Sequence, residues 1–314
     1  MNIISSKDIS KEFIENIFKR ASEFEERTKV ETRLIASEQN DIAKGKILAT
    51  IFYEPSTRTR MSFESAMIRL GGNVISASDM KNISSSKKGE SLKDSAKVIS
   101  NYCDVIAIRH NEKGAVEEFS KGSKVPVISA GDGANEHPTQ ALLDFYTIEK
   151  EKGTIDGLKI VLVGDLKYGR TVHSLSKLLK HYNVELYLVS PELLKMPEEI
   201  MSELAGLKIH TTENLSEVIS EVDVLYMTRV QKERFENPFD YEKCKDAYII
   251  DNEILKSAKK EMIIMHPLPR VNEIKEEVDL DSRAKYFKQA ENAVYVRMAI
   301  LEEVITNDGL RITN

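Results

Sequence analysis

The chain has 314 residues, enough for two domains that each bury a hydrophobic core. Its 45 Lys and Arg residues against 51 Asp and Glu residues give a formal net charge of −6, so it lacks the dominant basic surface that binding to nucleic acid or an anionic membrane requires. Cys103 and Cys244 cannot form a disulfide framework or a cysteine zinc site by themselves, which favours a cytoplasmic protein.

The first half of the chain alternates short β-rich runs with helical patterns. The predicted strands are Lys46–Tyr53, Asn73–Ser78, Asp104–Ile108 and Lys124–Ser129. The predicted helices are Met61–Leu70, Ser91–Tyr102 and Pro138–Glu149. Ser91 and Asp94 have the spacing of a capping box, and Pro138 suits the first turn of a helix. Glycine and polar residues cluster at Gly131–His137, which predicts a domain boundary there.

The second half repeats this alternation. Its predicted strands are Leu158–Val163, Val184–Val189, Lys208–Thr211, Asp223–Thr228, Ala247–Ile250 and Met262–Met265. Its predicted helices include Thr171–His181 and a final helix at Asn292–Ile305. Strands that alternate with helices predict an α/β fold with mostly parallel sheets flanked by helices. The strands read as apolar on both faces, as buried parallel strands are.

Polar residues follow most of the predicted strands, and ligands of open α/β sheets bind beyond the carboxyl ends of the strands. Six such loops carry Arg, His, Gln, Ser or Thr: Glu54–Arg60, Arg109–His110, His137–Gln140, Gly164–Arg170, Arg229–Gln231 and His266–Arg270. Loops of this composition at one sheet edge predict a polar, cationic site for small anions.

The run from Ser56 to Thr59 is the most specific of these features, because it joins a strand directly to a helix. A helix N-terminus presents unpaired N–H groups and the positive end of the helix dipole. The hydroxyls of Ser56, Thr57 and Thr59 add donors, and the guanidinium of Arg58 matches phosphate oxygens. The run therefore predicts a phosphate site rather than a simple helix cap, while Arg60 is left open as an ion-pair partner.

Two other loops suit a carbonyl or an amine. A neutral His137 can donate a hydrogen bond to a carbonyl oxygen, although a helix-capping role is an even alternative. The backbone carbonyls at Pro267–Pro269 suit an amine or an amide NH2. Asp144 and His266 are interpreted as structural rather than catalytic.

Some signals are absent or weak. The six histidines lack metal-ligand spacing, so no metal site is predicted. The strand Leu158–Val163 is not followed by G-x-G-x-x-G, which disfavours a dinucleotide-binding module. By composition alone, the segment Ser84–Gly89, with Lys87 and Lys88, reads as a solvated loop.

Taken together, four motifs resemble those of the carbamoyltransferase family, and in particular of its members that act on aspartate. They are Ser-Thr-Arg-Thr-Arg at 56–60, His-Pro-Thr-Gln at 137–140 with Asp144, Gly-Asp-Leu-Lys-Tyr-Gly-Arg at 164–170 and His-Pro-Leu-Pro-Arg at 266–270. The resemblance runs through nearly the whole chain in the right order. It implies transfer of the carbamoyl group of carbamoyl phosphate to the amino group of L-aspartate, a step of pyrimidine biosynthesis, without metal or organic cofactor.

The resemblance also implies an architecture and an assembly. Residues 1–135 with 292–314 would form a carbamoyl-phosphate domain, and residues 136–291 an aspartate domain, with the last helix crossing back to the first domain. The active unit would be a homotrimer whose sites are shared between neighbours and which closes its domains around the substrates. Whether regulatory chains also bind is left open.

The site residues follow from the same resemblance. The phosphate would be held by Ser56, Thr57, Arg58, Thr59 and Arg109. The carbamoyl oxygen would be bound by Thr59, Arg109 and His137, and its NH2 by Gln140 with the backbone of Pro267 and Leu268. The carboxylates of aspartate would be bound by Arg170, Arg229 and Gln231. Ser84 and Lys88 would come from the adjacent subunit, which replaces the solvated-loop interpretation. Glu54 would pair with Arg170 and Arg234 on domain closure.

Two alternatives remain in view. An ornithine carbamoyltransferase would have Cys in place of Pro267 and would lack the paired lysines 87 and 88, and Arg229-Val-Gln231 suits a dicarboxylate. A catalytically silent scaffold subunit should lack part of the site, whereas every matched position is present here.

Overall fold

The computed structural model describes residues 1–31, 41–80 and 89–309, and the chain divides into two compact units. Unit 1 is Met1–Leu143 with Glu291–Asn314, and unit 2 is Asp144–Ala290. The helices are α1 Lys11–Glu31, α2 Arg58–Arg69, α3 Leu92–Ile99, α4 Ala115–Ser120, α5 Pro138–Lys152, α6 Arg170–Leu179, α7 Glu198–Glu203, α8 Pro238–Cys244, α9 Asn252–Leu255 and α10 Tyr286–Gly309. The chain therefore passes between the units twice, each time inside a helix, α5 or α10.

Unit 1 contains a parallel sheet in the order β2-β1-β3-β4. Its strands are β1 Ile47–Phe52, β2 Asn73–Ser78, β3 Val105–His110 and β4 Val127–Asp132. Ile51, Ile106 and Ile108 pack against Val116 and Phe119 of α4 in a core shielded from water. The last helix returns to this unit, where Glu302 of α10 accepts two hydrogen bonds from Arg20 of α1, at 2.7 and 2.6 Å.

Unit 2 contains a parallel sheet in the order β7-β6-β5-β8-β9. Its strands are β5 Lys159–Val163, β6 Glu185–Val189, β7 Lys208–Thr212, β8 Val224–Met227 and β9 Ile263–Met265. Val161, Leu225 and Ile264 belong to one buried cluster. The predicted α/β fold, with two parallel sheets flanked by helices and a last helix that returns to the first domain, is confirmed.

Several local predictions are wrong. The predicted strand Ala247–Ile250 does not form; Ile250 alone makes a bridge, to Ile274 in a loop, so it has no strand to pair along. The edge strands β2 and β7 are largely exposed rather than apolar on both faces. The opposite edge strands, β4 and β9, are buried, and each is also bridged by a residue outside the sheet, Ile3 and Ala284. Helix α1 has no counterpart among the predicted elements, although Ile14, Ile17 and Phe18 lie at helical spacing and are buried.

Strand β4 also begins and ends three residues later than predicted, and all six of its residues are buried. Its polar end lies in the interior because Asp132 accepts hydrogen bonds from the backbone N–H groups of Gly114 and Val116, at 2.9 and 3.4 Å. The apolar interior therefore includes residues that, by composition, look like a loop.

Candidate active site

The predicted phosphate loop leads into α2, which begins at Arg58 rather than at Met61. Thr57 occupies the N-cap position, but its side chain makes no cap hydrogen bond. Arg58 and Thr59 therefore stand in the first helical turn, where N–H groups have no acceptor within the helix. Thr59 is buried, Ser56 is half-buried, and Thr57 and Arg58 are exposed. Three hydroxyls, a guanidinium and the helix N-terminus thus lie together, an arrangement suited to a phosphate.

Arg109 lies at the end of β3, next to β1. Its Nε–H donates to Oε1 of Glu54 at 2.6 Å, and both side chains are mostly buried, with 16% and 19% exposed. The register between β3 and β4 shifts after Ile108, where Gly131 has a φ of +123° that favours glycine. In this structure Arg109 is thus a fixed cation whose charge is partly balanced by a neighbouring carboxylate.

A buried arginine that the sequence analysis did not single out lies beneath α2. Arg297 of α10 is 2% exposed, and its Nη1 donates to Oγ of Ser62 at 2.5 Å. Ser62 Oγ in turn donates to the backbone carbonyl oxygens of Arg58 and Thr59, at 2.7 and 2.9 Å. Arg297 is flanked by Val296, Met298 and Ala299, and a lone arginine in such an apolar run was the available signal.

His137 and Gln140 lie at the start of α5, which begins at Pro138 as predicted. His137 is 3% exposed, and Gln140, half-buried, donates its backbone N–H to the His137 carbonyl at 3.0 Å. Because β1, β3 and β4 are neighbours in a parallel sheet, the segments that follow them emerge at one edge. That edge of unit 1 receives the phosphate loop, Arg109 and the segment that leads to His137.

Arg170 begins α6 after a compact loop that follows β5. Gly164, at a φ of +110°, leaves no room for a side chain, since an added Cβ would lie 2.5 Å from the Thr228 carbonyl oxygen. His173 of α6 places Nε2 2.9 Å from the carbonyl oxygen of Leu166, which can only accept, so Nε2–H is the donor. Thr228 packs against the start of the loop that leads to Arg170, and His173 binds the same loop through Leu166.

Asp165 joins this loop to the segment after β8. Its carboxylate accepts from the N–H of Tyr168 at 2.9 Å, and from the backbone and side-chain N–H groups of Gln231 at 3.4 and 3.5 Å. Complete burial raises the pKa of Asp165, an effect that these hydrogen bonds oppose. Gln231 Nε2 also donates to the Tyr168 carbonyl at 3.2 Å. Asp165 thus fixes Gln231 relative to the loop that ends in Arg170.

The remaining cations of this edge are less enclosed. Arg229 is half-buried and pairs with Glu233 through both terminal nitrogens. Arg234 is also half-buried and ends a short 3-10 turn, Lys232–Arg234.

The segment after β9 contains Pro267 and Leu268, which are half-buried, and the ring of His266 accepts a hydrogen bond from the Leu268 N–H. The segments that follow β5, β8 and β9, which are neighbours in the sheet, thus meet at one edge of unit 2.

Two predicted residues, Ser84 and Lys88, lie outside the described residues. Within the part of the chain that the structure describes, no three His, Cys, Asp or Glu side chains come together as metal ligands would. The same part contains no helix that is both long enough and apolar enough to cross a membrane.

Comparison with known proteins identifies the family. Residues 1–150 match the model of the aspartate/ornithine carbamoyltransferase carbamoyl-P binding domain, and residues 156–304 match the Asp/Orn binding domain of the same family. The chain belongs to the aspartate/ornithine carbamoyltransferase family. Its members transfer carbamoyl groups, and the resemblance read from the motifs is confirmed.

Similar proteins within the family carry the aspartate name. The aspartate carbamoyltransferase catalytic subunit of Thermococcus onnurineus is 53% identical over 302 residues, which are 96% of this chain and 95% of that one. The solved catalytic subunit of M. jannaschii aspartate transcarbamoylase has a TM-score of 0.88 and 51% identity, over 98% of this chain and 99% of that one. The Trypanosoma cruzi enzyme in complex with carbamoyl phosphate and aspartate has a TM-score of 0.89 and 41% identity, over 96% of each chain.

Proposed function

We propose that this chain transfers the carbamoyl group of carbamoyl phosphate to the amino group of L-aspartate, giving N-carbamoyl-L-aspartate and phosphate. The observation that carries this proposal is that each unit has a polar, cationic sheet edge of its own. The edge of unit 1 carries the phosphate-type ligands around Arg58, and the edge of unit 2 carries Arg170, Arg229 and Gln231, which suit a dicarboxylate. Relatives named for aspartate, including one solved with both substrates, support the same reaction.

Charge balance agrees with this assignment. Carbamoyl phosphate carries roughly two negative charges at neutral pH, since the second pKa of a phosphate lies near 6, and aspartate has two carboxylates. Both substrates together therefore call for several fixed cations. Arg58, Arg109, Arg170 and Arg229 supply them, and we propose that Lys88 of an adjacent subunit adds another.

The proposed chemistry needs no covalent enzyme intermediate. The unprotonated amine of aspartate attacks the carbonyl carbon, and a tetrahedral oxyanion forms beside Thr59, Arg109 and His137. Gln140 and the backbone of Pro267 and Leu268 hold the carbamoyl NH2. The bond to the phosphate oxygen then breaks, and the leaving phosphate takes the proton from the amine. Alignment of the two reactants contributes several kcal/mol to the rate, by order of magnitude.

The assembly and the location of the protein are part of the same proposal. We propose a homotrimer with shared sites, to which Ser84 and Lys88 come from the adjacent subunit. The similar Thermococcus onnurineus protein is a catalytic subunit, which supports an oligomeric enzyme. Pairing of Glu54 with Arg170 and Arg234 on domain closure, the domain limits given by the resemblance, the absence of a cofactor and a cytoplasmic location remain predictions.

A direct assay tests the proposed function. The purified chain is supplied with carbamoyl phosphate and either L-aspartate or L-ornithine, without metal, and the ureido product is measured. Turnover with aspartate alone is expected. Turnover with ornithine alone would keep the phosphate site and refute the dicarboxylate role of Arg170, Arg229 and Gln231. No turnover with either substrate would favour the silent scaffold subunit.

A further inference from the structure

His266, at the end of β9, has a ring whose protonation is set by its neighbours. The side chain is 1% exposed, and its Nδ1 accepts the backbone N–H of Leu268 at 2.7 Å. Because a backbone N–H can only donate, Nδ1 carries a lone pair and the neutral ring carries its proton on Nε2. Nε2–H then donates to Oε1 of Glu273 at 2.8 Å.

Glu273 closes the other end of the same loop. Its Oε2 accepts from the backbone N–H groups of Val271 and Asn272, at 3.0 and 3.1 Å. Burial favours a raised pKa for Glu273, but the hydrogen bonds, the one from His266 above all, outweigh burial, and the pKa is lowered. The His266–Glu273 pair therefore holds the backbone of residues 268, 271 and 272 from inside the fold.

His266 is itself held by a buried chain of hydrogen bonds. Its backbone N–H donates to Oε1 of Gln289 at 3.0 Å, and Gln289 Nε2 donates to Oδ1 of Asp144 at 2.6 Å. Tyr226 donates its hydroxyl to Oδ2 of Asp144 at 2.7 Å, and burial together with this carboxylate raises the pKa of Tyr226. Gln289, Asp144 and Tyr226 are at most 1% exposed, so this buried chain holds the backbone from which the ring of His266 projects.

The backbone of Leu268 adopts a conformation that requires stabilising contacts. Its φ is +54°, in the left-handed region that a branched side chain rarely adopts. Residues in this region persist only where the surroundings hold them, and they cluster at ligand sites. The bond from Leu268 N–H to Nδ1 is the contact that fixes this backbone from its own loop.

We propose that His266 is a positioning residue for the carbamoyl group. Its Nδ1 lone pair holds Leu268 in the left-handed conformation, and this conformation presents the carbonyl oxygens of Pro267 and Leu268 to the carbamoyl NH2. This role rests on the proposed function, in which those two carbonyls bind the substrate. The ring touches no substrate and acts through the backbone alone.

A pair of substitutions separates the two ring contacts. In His266→Asn the side-chain oxygen takes the place of Nδ1 and still accepts from Leu268, whereas the contact with Glu273 is lost. In His266→Gln the amide NH2 takes the place of Nε2 and still reaches Glu273, whereas the Leu268 N–H loses its acceptor. We expect His266→Gln to lower kcat by about 10- to 100-fold, with a smaller loss in His266→Asn and little change in KM for aspartate.

The control measurements distinguish positioning from folding and from the proposed function. Thermal unfolding of both variants is recorded beside kcat, and 15N NMR of labelled histidine reports the tautomer of His266 in the wild-type protein. Equal kcat in the two variants, or a proton on Nδ1, would overturn the positioning role of His266. As long as the wild-type protein turns over aspartate, that result would leave the proposed function intact. A wild-type protein inactive with aspartate would instead refute the proposed function itself.

Discussion

Arg58 is the residue on which the phosphate assignment depends most directly, because it is the cation at the first position of α2. Partial desolvation lowers the pKa of this exposed side chain, but a guanidinium remains protonated at neutral pH. We expect Arg58→Ala to lower turnover at saturating substrates by about 10²- to 10³-fold, since a fixed charge at the leaving phosphate is lost. Steady-state kinetics on the purified variant measure this effect.

The same helix provides a matched control for Arg58. Arg69 is an exposed arginine in the last turn of α2, and its Nε lies 3.3 Å from Ser65 Oγ. Arg69→Ala removes the same charge from the opposite end of the helix, so turnover should stay near the wild-type value. Normal turnover in Arg58→Ala would contradict the phosphate assignment.

Asp165 gives a second prediction, on the aspartate side of the reaction. Asp165→Asn keeps the shape of the side chain but replaces one acceptor oxygen with a donor, which opposes the N–H of either Tyr168 or Gln231. We expect the KM for aspartate to rise by about 10- to 100-fold, because a buried N–H is left unsatisfied and Gln231 shifts. Calorimetric binding of carbamoyl phosphate should change much less.

Asp156→Asn is the control for that substitution. Asp156 is exposed and accepts one backbone N–H, from Asn183 at 2.6 Å, in a loop before β5. It has no contact with Gln231 in the described structure, so its loss should leave the KM for aspartate unchanged. An unchanged KM in Asp165→Asn as well would show that Asp165 does not position Gln231.

The residues that sequence reasoning missed share one property. Arg58, His137 and Arg170 follow strands in motifs of distinctive composition, so the sequence marks them. Asp165 and Arg297 act through contacts with segments distant in the chain, Asp165 with Gln231 and Arg297 with Ser62. A local sequence pattern does not identify partners that are distant in the chain, so these contacts are seen only in the folded structure.

At the scale of elements, prediction succeeded where a start signal such as Ser91 or Pro138 marks a helix, or where a strand is apolar throughout. Helices α3 and α5 and the central strands begin or end within a few residues of the predicted limits, and Ser91 caps α3 by accepting from Asp94 N–H at 3.1 Å. The strand predicted at Ala247–Ile250 failed because an apolar run pairs only where a neighbouring strand is available. The start of α2 was placed too late because polar residues of its first turn resemble a loop.

The contact between α1 and α10 carries a prediction at this scale. Arg20 binds Glu302 through two parallel hydrogen bonds, and the side chains are 30% and 18% exposed. A double-mutant cycle with Arg20→Met and Glu302→Gln, followed by urea unfolding, should give a coupling of about 1 kcal/mol. Methionine keeps the aliphatic stem, so the cycle isolates the charge contact rather than packing.

An exposed pair in the same unit is the reference for that cycle. Lys44 and Asp41 form an ion pair at 2.9 Å, but their side chains are 73% and 61% exposed. Water and salt screen such a pair, so its coupling should be smaller than that of Arg20 and Glu302 and should vanish first as salt is added. Equal couplings in the two cycles would mean that the enclosure of Arg20 and Glu302 contributes nothing.

At the scale of the whole molecule, the proposed ligands are divided between the two units. Ser56 to Thr59, Arg109 and His137 belong to unit 1, whereas Arg170, Arg229 and Gln231 belong to unit 2. Neither unit therefore contains all the groups that the proposed reaction needs. The chain links the units through α5 and α10, so each connection is a regular helix rather than an irregular linker.

The proposed homotrimer with shared active sites leads to the last prediction. Arg58→Ala and Lys88→Ala should each be nearly inactive, because each removes a cation from every site. If the two cations of one site come from neighbouring subunits, trimers reassembled from an equal mixture regain sites that contain both. Around a ring of three, a site receives Arg58 from one chain and Lys88 from its neighbour in about one case in four, so activity should return to about a quarter of the wild-type value.

A mixture of Arg58→Ala and Thr59→Ala is the control, since both changes fall on the same chain of a site and no complete site can form. Hybrids of verified composition that stay inactive would place Arg58 and Lys88 on the same chain, or would remove Lys88 from the site.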